Sequence, residues 1–160
     1  MSSIWDEATE NFEKAIAVDS TFALAYMRLG MVKIFQGRMP DAAPYFAQAK
    51  QLEANMPIRD RNLLDVYSDL WLRQQFDDAF VKIKTLVDNY PEDIEARSIY
   101  ALLVWSFAKD TTGAFQQLEE VYKIDPKFQL ALGFSAYIHL DLKEYDKAIQ
   151  LYGNSERIAK

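Results

Sequence analysis

At 160 residues, half of them apolar and 26% charged, the chain is long enough for a globular domain with its own core, and its composition excludes wholesale disorder. It holds no Cys and one His, which excludes disulfides, thiolate metal sites, a Cys nucleophile and any multi-histidine metal centre. A net charge of −6 disfavours phosphate backbones, and five Gly and five Pro are few for an all-β fold, so a mostly helical domain without nucleic-acid partners is expected.

Helical periodicity with Gly, Pro and Asp punctuation predicts nine helices and no strand: 4–18, 22–36, 39–53, 59–74, 76–89, 93–108, 112–123, 127–141 and 144–157. The start, Met1-Ser-Ser-Ile-Trp-Asp-Glu, lacks a basic region followed by an apolar core, so no secretory leader is read there. Asp19-Ser20 marks the first turn and Gly37 the second. Pro40 suits the first turn of the third helix, whereas Pro44 removes a hydrogen bond and is expected to bend it. Tyr90-Pro91, Asp110-Thr111-Thr112-Gly113 and Asp125-Pro126 punctuate the later helices. The longest apolar stretch, Ile99 to Ala108, is broken by Ser106 and falls short of the ~20 residues that span a bilayer. No membrane contact and a cytoplasmic location are the expectations.

The helices repeat in pairs. Ala8, Ala42, Ala79, Ala114 and Ala148 are spaced by 34, 37, 35 and 34 residues. Four residues after each comes Phe12, Phe46, Ile83, Leu118 or Tyr152, and seven after comes Ala15, Ala49, Leu86, Val121 or Ser155. This ladder marks one face of the second helix of each unit. A large-then-small pattern marks the first helices: Tyr26 with Leu29-Gly30, Leu63 with Val66-Tyr67, Arg97 with Tyr100-Ala101, and Leu132 with Ser135-Ala136. The small residue allows close approach within a pair, and such pairs must stack on neighbours to bury their apolar faces.

These residues resemble the tetratricopeptide repeat (TPR), best over 23–56 and again from 129. Tyr67 stands where that family has a small residue, Arg97 where it has an aromatic, and Gly113-Ala114 carries a one-residue slip. The resemblance implies an all-α right-handed superhelix of about nine antiparallel helices. It forms a single domain over 1–160, with a half repeat at 1–22 and repeats at about 23–59, 60–93, 94–128 and 129–160. The joint Pro57-Ile-Arg59-Asp-Arg61-Asn-Leu-Leu64, together with Tyr90-Pro91-Glu-Asp93-Ile-Glu95-Ala96, looks like TPR arrays appended to bacterial kinases, adenylate cyclases and transcriptional activators.

In that family the first helices line a concave groove that holds a peptide or helix of a partner protein. By phase, the groove residues here are Met27, Met31 and Phe35; Arg61, Leu64, Ser68 and Trp71; Glu95, Ser98, Leu102 and Trp105; and Leu130, Phe134 and Tyr137. The row is rich in Met and aromatics, which suit an adaptable apolar contact. The Lys and Asn carboxylate clamp by which some members hold chaperone tails is absent, since Met27, Met31, Asp65, Arg61 or Glu95, and Ile99 stand in those places.

The reading is therefore a non-catalytic interaction module without cofactor, metal or catalytic residue. The alternative is a regulatory or sensor piece of a larger signalling protein. His139, near Asp141, reads as a core or semi-buried histidine, since one His and one carboxylate are too few for a metal site. Glu92, Asp93 and Glu95 read as helix-start acids. Arg59, Asp60 and Arg61 read as a salt-bridge knot, with partner docking as the sharper alternative. The first helix lacks a partner before it and the last lacks one after it. This raises the expectation of either a longer array or self-association through a terminal helix.

Overall fold

The computed structural model describes residues 4–158, with side chains from Trp5 to Leu151 and at Gly153. The ladder side chains Tyr152 and Ser155, and Ile158 near the edge, lie outside that description. The described residues form nine α-helices and no strand: α1 (Ile4–Val18), α2 (Ala23–Phe35), α3 (Met39–Gln51), α4 (Ile58–Ser68), α5 (Phe76–Asn89), α6 (Ile94–Ser106), α7 (Thr111–Ile124), α8 (Gln129–Asp141) and α9 (Tyr145–Ile158). A short 3-10 turn, Glu53–Asn55, follows α3. The single long helix expected over 59–74 ends instead in a π-helical turn, Asp69–Arg73. The chain divides into two compact units, Met1–Lys82 and Ile83–Lys160.

α2, α6 and α8 are apolar almost all round, α4 carries Arg59, Asp60, Arg61, Asn62 and Asp65 beside its buried apolar residues, and α1, α5, α7 and α9 each have one apolar stripe. That division follows from packing. In the first unit α2 is flanked by both α1 and α3, and in the second α8 touches α6, α7 and α9. The Ala ladder is the buried stripe of the second helices, with Ala42, Phe46 and Ala49 on α3 and Ala114, Leu118 and Val121 on α7.

Close approach within the first pair depends on Gly30. A Cβ there would lie 2.9 Å from Cε1 of the Phe46 ring. Phe46 in turn sits 6.1 Å from the Tyr67 ring across to α4. Tyr67, at the register where the other pairs carry Gly30, Ala101 and Ala136, is thus absorbed as a core aromatic.

Local chemistry sets the helix starts. Asp93 accepts from Ala96 N (3.0 Å) at α6, and Asp110 accepts from Gly113 N (2.8 Å) at α7. The second cap accounts for the one-residue slip, since a Cβ on Gly113 would lie 2.3 Å from Asp110 Oδ2. Pro40 occupies the first turn of α3 as expected, and Pro44 lies within that helix.

The helix ends carry a regularity that only the backbone reveals. Gly37, Gln74, Lys109 and Lys143 all have φ between 55° and 72°, and each lies five residues before a ladder alanine. This left-handed residue ends the first helix of every pair, a conformation natural to Gly and costly to the other three. Lys109→Gly is therefore expected to raise stability by up to about 1 kcal/mol, read as a higher midpoint in urea. An unchanged or lower midpoint contradicts this.

Candidate functional site

In the second unit α6 and α8 lie side by side. Of the residues assigned by phase to the groove, Leu102 and Trp105 lie on α6, and Phe134 and Tyr137 on α8. Trp105 meets Tyr137 edge to face, with ring centroids 5.3 Å apart. Leu102, Trp105 and Phe134 are half-buried and Tyr137 is 50% exposed. Trp105 and Tyr137 thus form a partly open aromatic patch, with exposed Asp141 one helical turn beyond Tyr137. Such a patch offers rigid ring faces at small entropic cost to a ligand.

The first unit treats its share of the row differently. Met27 and Leu64 are 0% exposed, and Met31 is also buried. These three are core residues, which corrects their assignment to an open groove: α2 and α4 are covered on several sides, so little of either helix is left open. Phe35 is exposed at its edge, but its ring stacks on Trp5 of α1 at 5.2 Å. Arg61 and Trp71 are half-buried, and Arg61 Nε and Trp71 Nε1 make no hydrogen bond within the protein. Ser68 is buried and donates to the Leu64 carbonyl.

His139, Arg59 and Arg97 each have partners within the protein. His139 Nδ1 lies 2.6 Å from Glu144 Oε2, and its ring packs against Phe115. Its partner is thus Glu144, and the hydrogen bond from His139 together with that from Lys147 holds the Glu144 carboxyl below its usual range. Arg59 pairs with Asp60 at 2.7 Å. Arg97, in place of an aromatic, donates to Gln117 and to the Pro91 carbonyl, tying the start of α6 to α7.

One buried carboxylate had not been singled out. Asp69 opens the π turn with no exposed surface, bonded to Arg73 at 2.6 Å and to Lys82 of α5. Burial pushes its carboxyl up, but the Lys82 and Arg73 hydrogen bonds outweigh that and leave it below its usual range. Arg73 four residues on was the available signal, yet nothing local announces Lys82 as the second partner. Among the described residues no group of three or more His, Asp or Glu is placed to hold a metal ion, and no helix is long and apolar enough to cross a membrane.

Residues 5–57 match the family model described as tetratricopeptide repeat. No curated protein matches in sequence. Among solved structures, the chain is similar to YrrB, described as a TPR protein with an unusual peptide-binding site, at 22% identity and TM-score 0.54, covering 96% of this chain and 77% of that one. It is also similar to MamA at 13% identity and TM-score 0.51, covering 98% and 95%. For the MamA fragment 41-end from Desulfovibrio magneticus RS-1 the values are 12% identity and TM-score 0.53, covering 97% and 85%. At these identities the likeness establishes the fold.

Proposed function

Starting from a chain with the fold of tetratricopeptide-repeat proteins, we propose that it is a non-catalytic scaffold that holds a peptide or helix of a partner protein on an apolar surface centred on α6 and α8. The observation that carries this reading is the Trp105–Tyr137 pair, set edge to face between two neighbouring first helices with Tyr137 half open to solvent. Leu102 and Phe134 extend the patch, while Phe35, Arg61 and Trp71 are the residues of the first unit that keep some exposure. YrrB, a structural neighbour, is described as having a peptide-binding site, which supports the same class of ligand here.

Peptides selected from a random displayed library on the wild-type protein provide the probe. Leu102→Asp with Trp105→Ala is expected to weaken them at least ~100-fold, the loss of a buried aromatic anchor with its neighbour. Tyr137→Ala, at an exposed position, is expected to weaken them about tenfold with helicity unchanged by circular dichroism. Selected peptides that bind all three proteins equally contradict the reading.

A second reading rests on the first turn of α4, where Arg59 and Asp60 pair in the pattern that resembles arrays of signalling proteins. In it the repeats regulate an attached kinase, cyclase or activator domain. A parent reading frame encoding such a domain supports it. Self-association is a further class of partnership open to this fold.

A further inference from the structure

α8 carries a glycine in its interior that the fold does not require. A Cβ on Gly30 would press on the Phe46 ring, and one on Gly113 would press on the Asp110 carboxylate, so both of those positions need a bare backbone. A Cβ on Gly133 would meet nothing within 4 Å, and Gly133 is not at positive φ. Neither packing nor backbone conformation among the described residues therefore calls for glycine there, although glycine disfavours a helix interior more than any residue but proline. Its place on the helix is specific. Tyr137 follows one turn along the same face, and Asp141, the last residue of α8, one turn beyond that. The stripe thus runs from bare backbone, past the ring that meets Trp105, to a carboxylate. Asp141 is exposed and, among the described residues, its carboxylate holds no hydrogen bond or ion pair, whereas those of Asp93, Asp110 and Glu144 are each engaged.

We propose that Gly133 sets the specificity of the α6–α8 surface: it admits a large aliphatic or aromatic side chain of the bound peptide onto the α8 backbone beside Tyr137, while a Lys or Arg of the same peptide pairs with Asp141. This rests on the reading of that surface as a peptide site and names the ligand it takes. Shape selects the apolar part. With no Cβ at 133, a ligand side chain reaches the helix backbone and lies against the flank of the Tyr137 ring, which removes more apolar surface from water than a position above alanine would. Charge selects the basic part. The Asp141 carboxylate stands at the C-terminal end of α8, where the helix dipole adds negative potential, and both favour a cation. Lys143, two residues on in the turn to α9, offsets that field, so the surface suits a single cation rather than a basic run. Gly133 and Asp141 are about 12 Å apart along α8, the rise of eight helical residues. A peptide spans that distance with about four residues when extended or about eight when helical, which sets the spacing between its apolar and basic residues.

Peptides selected from the random displayed library on the wild-type protein are the probe. They should carry a large apolar residue and a Lys or Arg at one of those two spacings. Gly133→Ala should raise the urea midpoint, because alanine favours the helix and meets no neighbour, and yet weaken these peptides about tenfold. Gly133→Leu, with helicity unchanged by circular dichroism, should weaken them at least ~100-fold. Asp141→Lys should weaken them about fivefold. Exchanging the peptide's basic residue for Glu should restore binding to Asp141→Lys while weakening it on the wild type. A Gly133→Ala protein that loses stability, or that is more stable and binds as tightly as the wild type, overturns the proposal. So do selected peptides without a basic residue. In each of these cases a loss of binding in Tyr137→Ala leaves the peptide surface itself standing, whereas peptides indifferent both to Tyr137→Ala and to Leu102→Asp with Trp105→Ala remove the surface and the proposal together.

Discussion

Phe46→Ala is expected to destabilise the first unit by about 3–5 kcal/mol, the cost of removing a fully buried aromatic ring together with the cavity it leaves. The high end applies here because the ring has no slack around it. It fills the space above Gly30 on α2, stands 6.1 Å from the Tyr67 ring on α4, and is 0% exposed. No neighbour on α2 can close the gap, since the contact surface there is a glycine. Phe46→Leu keeps most of the volume and should lose about a third as much. Urea unfolding, with amide exchange in α2 and α3, checks both. A Phe46→Ala loss under about 1 kcal/mol would mean that the helix pair collapses into the cavity and that Gly30 does not define its spacing.

The second large effect lies at the π turn. Asp69→Ala is expected to cost about 2–3 kcal/mol. A buried carboxylate bonded to two cations contributes more than a surface pair. The loss stays below the upper limit for buried pairs because the released Arg73 and Lys82 are about half exposed and regain water. The contribution depends on pH with a definite sign. Lys82 and Arg73 hold the folded carboxyl below its usual range against the opposing effect of burial, so the unfolded chain takes up the proton first as pH falls. The stabilisation is complete above the ordinary carboxylate range and fades as pH drops toward the lower folded value. The stability gap between wild type and Asp69→Asn should therefore be widest near neutral pH and shrink in acid. A gap that stays constant into strong acid would remove the ion pairs as its cause.

The helices were legible in the sequence because each rule that marks them is local. The Ala ladder places α3, α5 and α7 within one or two residues of where they lie, and Asp93 and Asp110 announce starts that the backbone confirms with capping bonds. Of the row assigned by phase, one contact was legible. Trp105 and Tyr137 were assigned to one surface, and the two rings do meet. Met27, Met31 and Leu64 were assigned to the same surface and are buried. α2 is apolar on nearly every side and α4 buries Leu63, Leu64, Val66, Tyr67 and Ser68 around much of its girth, so periodicity marks a helix there without distinguishing the side that meets a neighbour from the side that meets water.

What the sequence by itself determined is the unit: a pair of helices, the first marked by a large residue followed by a small one and the second by the Ala ladder, recurring every 34 to 37 residues. That information is local because each side chain declares its face relative to its own helix. What only the tertiary structure decided is which apolar positions remain exposed. It also decided that Asp69 finds Lys82 thirteen residues away, and that the backbone turns left-handed at Gln74, Lys109 and Lys143 without a glycine to signal it. Burial, ion pairing across helices and backbone strain all depend on what the neighbouring helices cover. A repeat's own residues do not encode that.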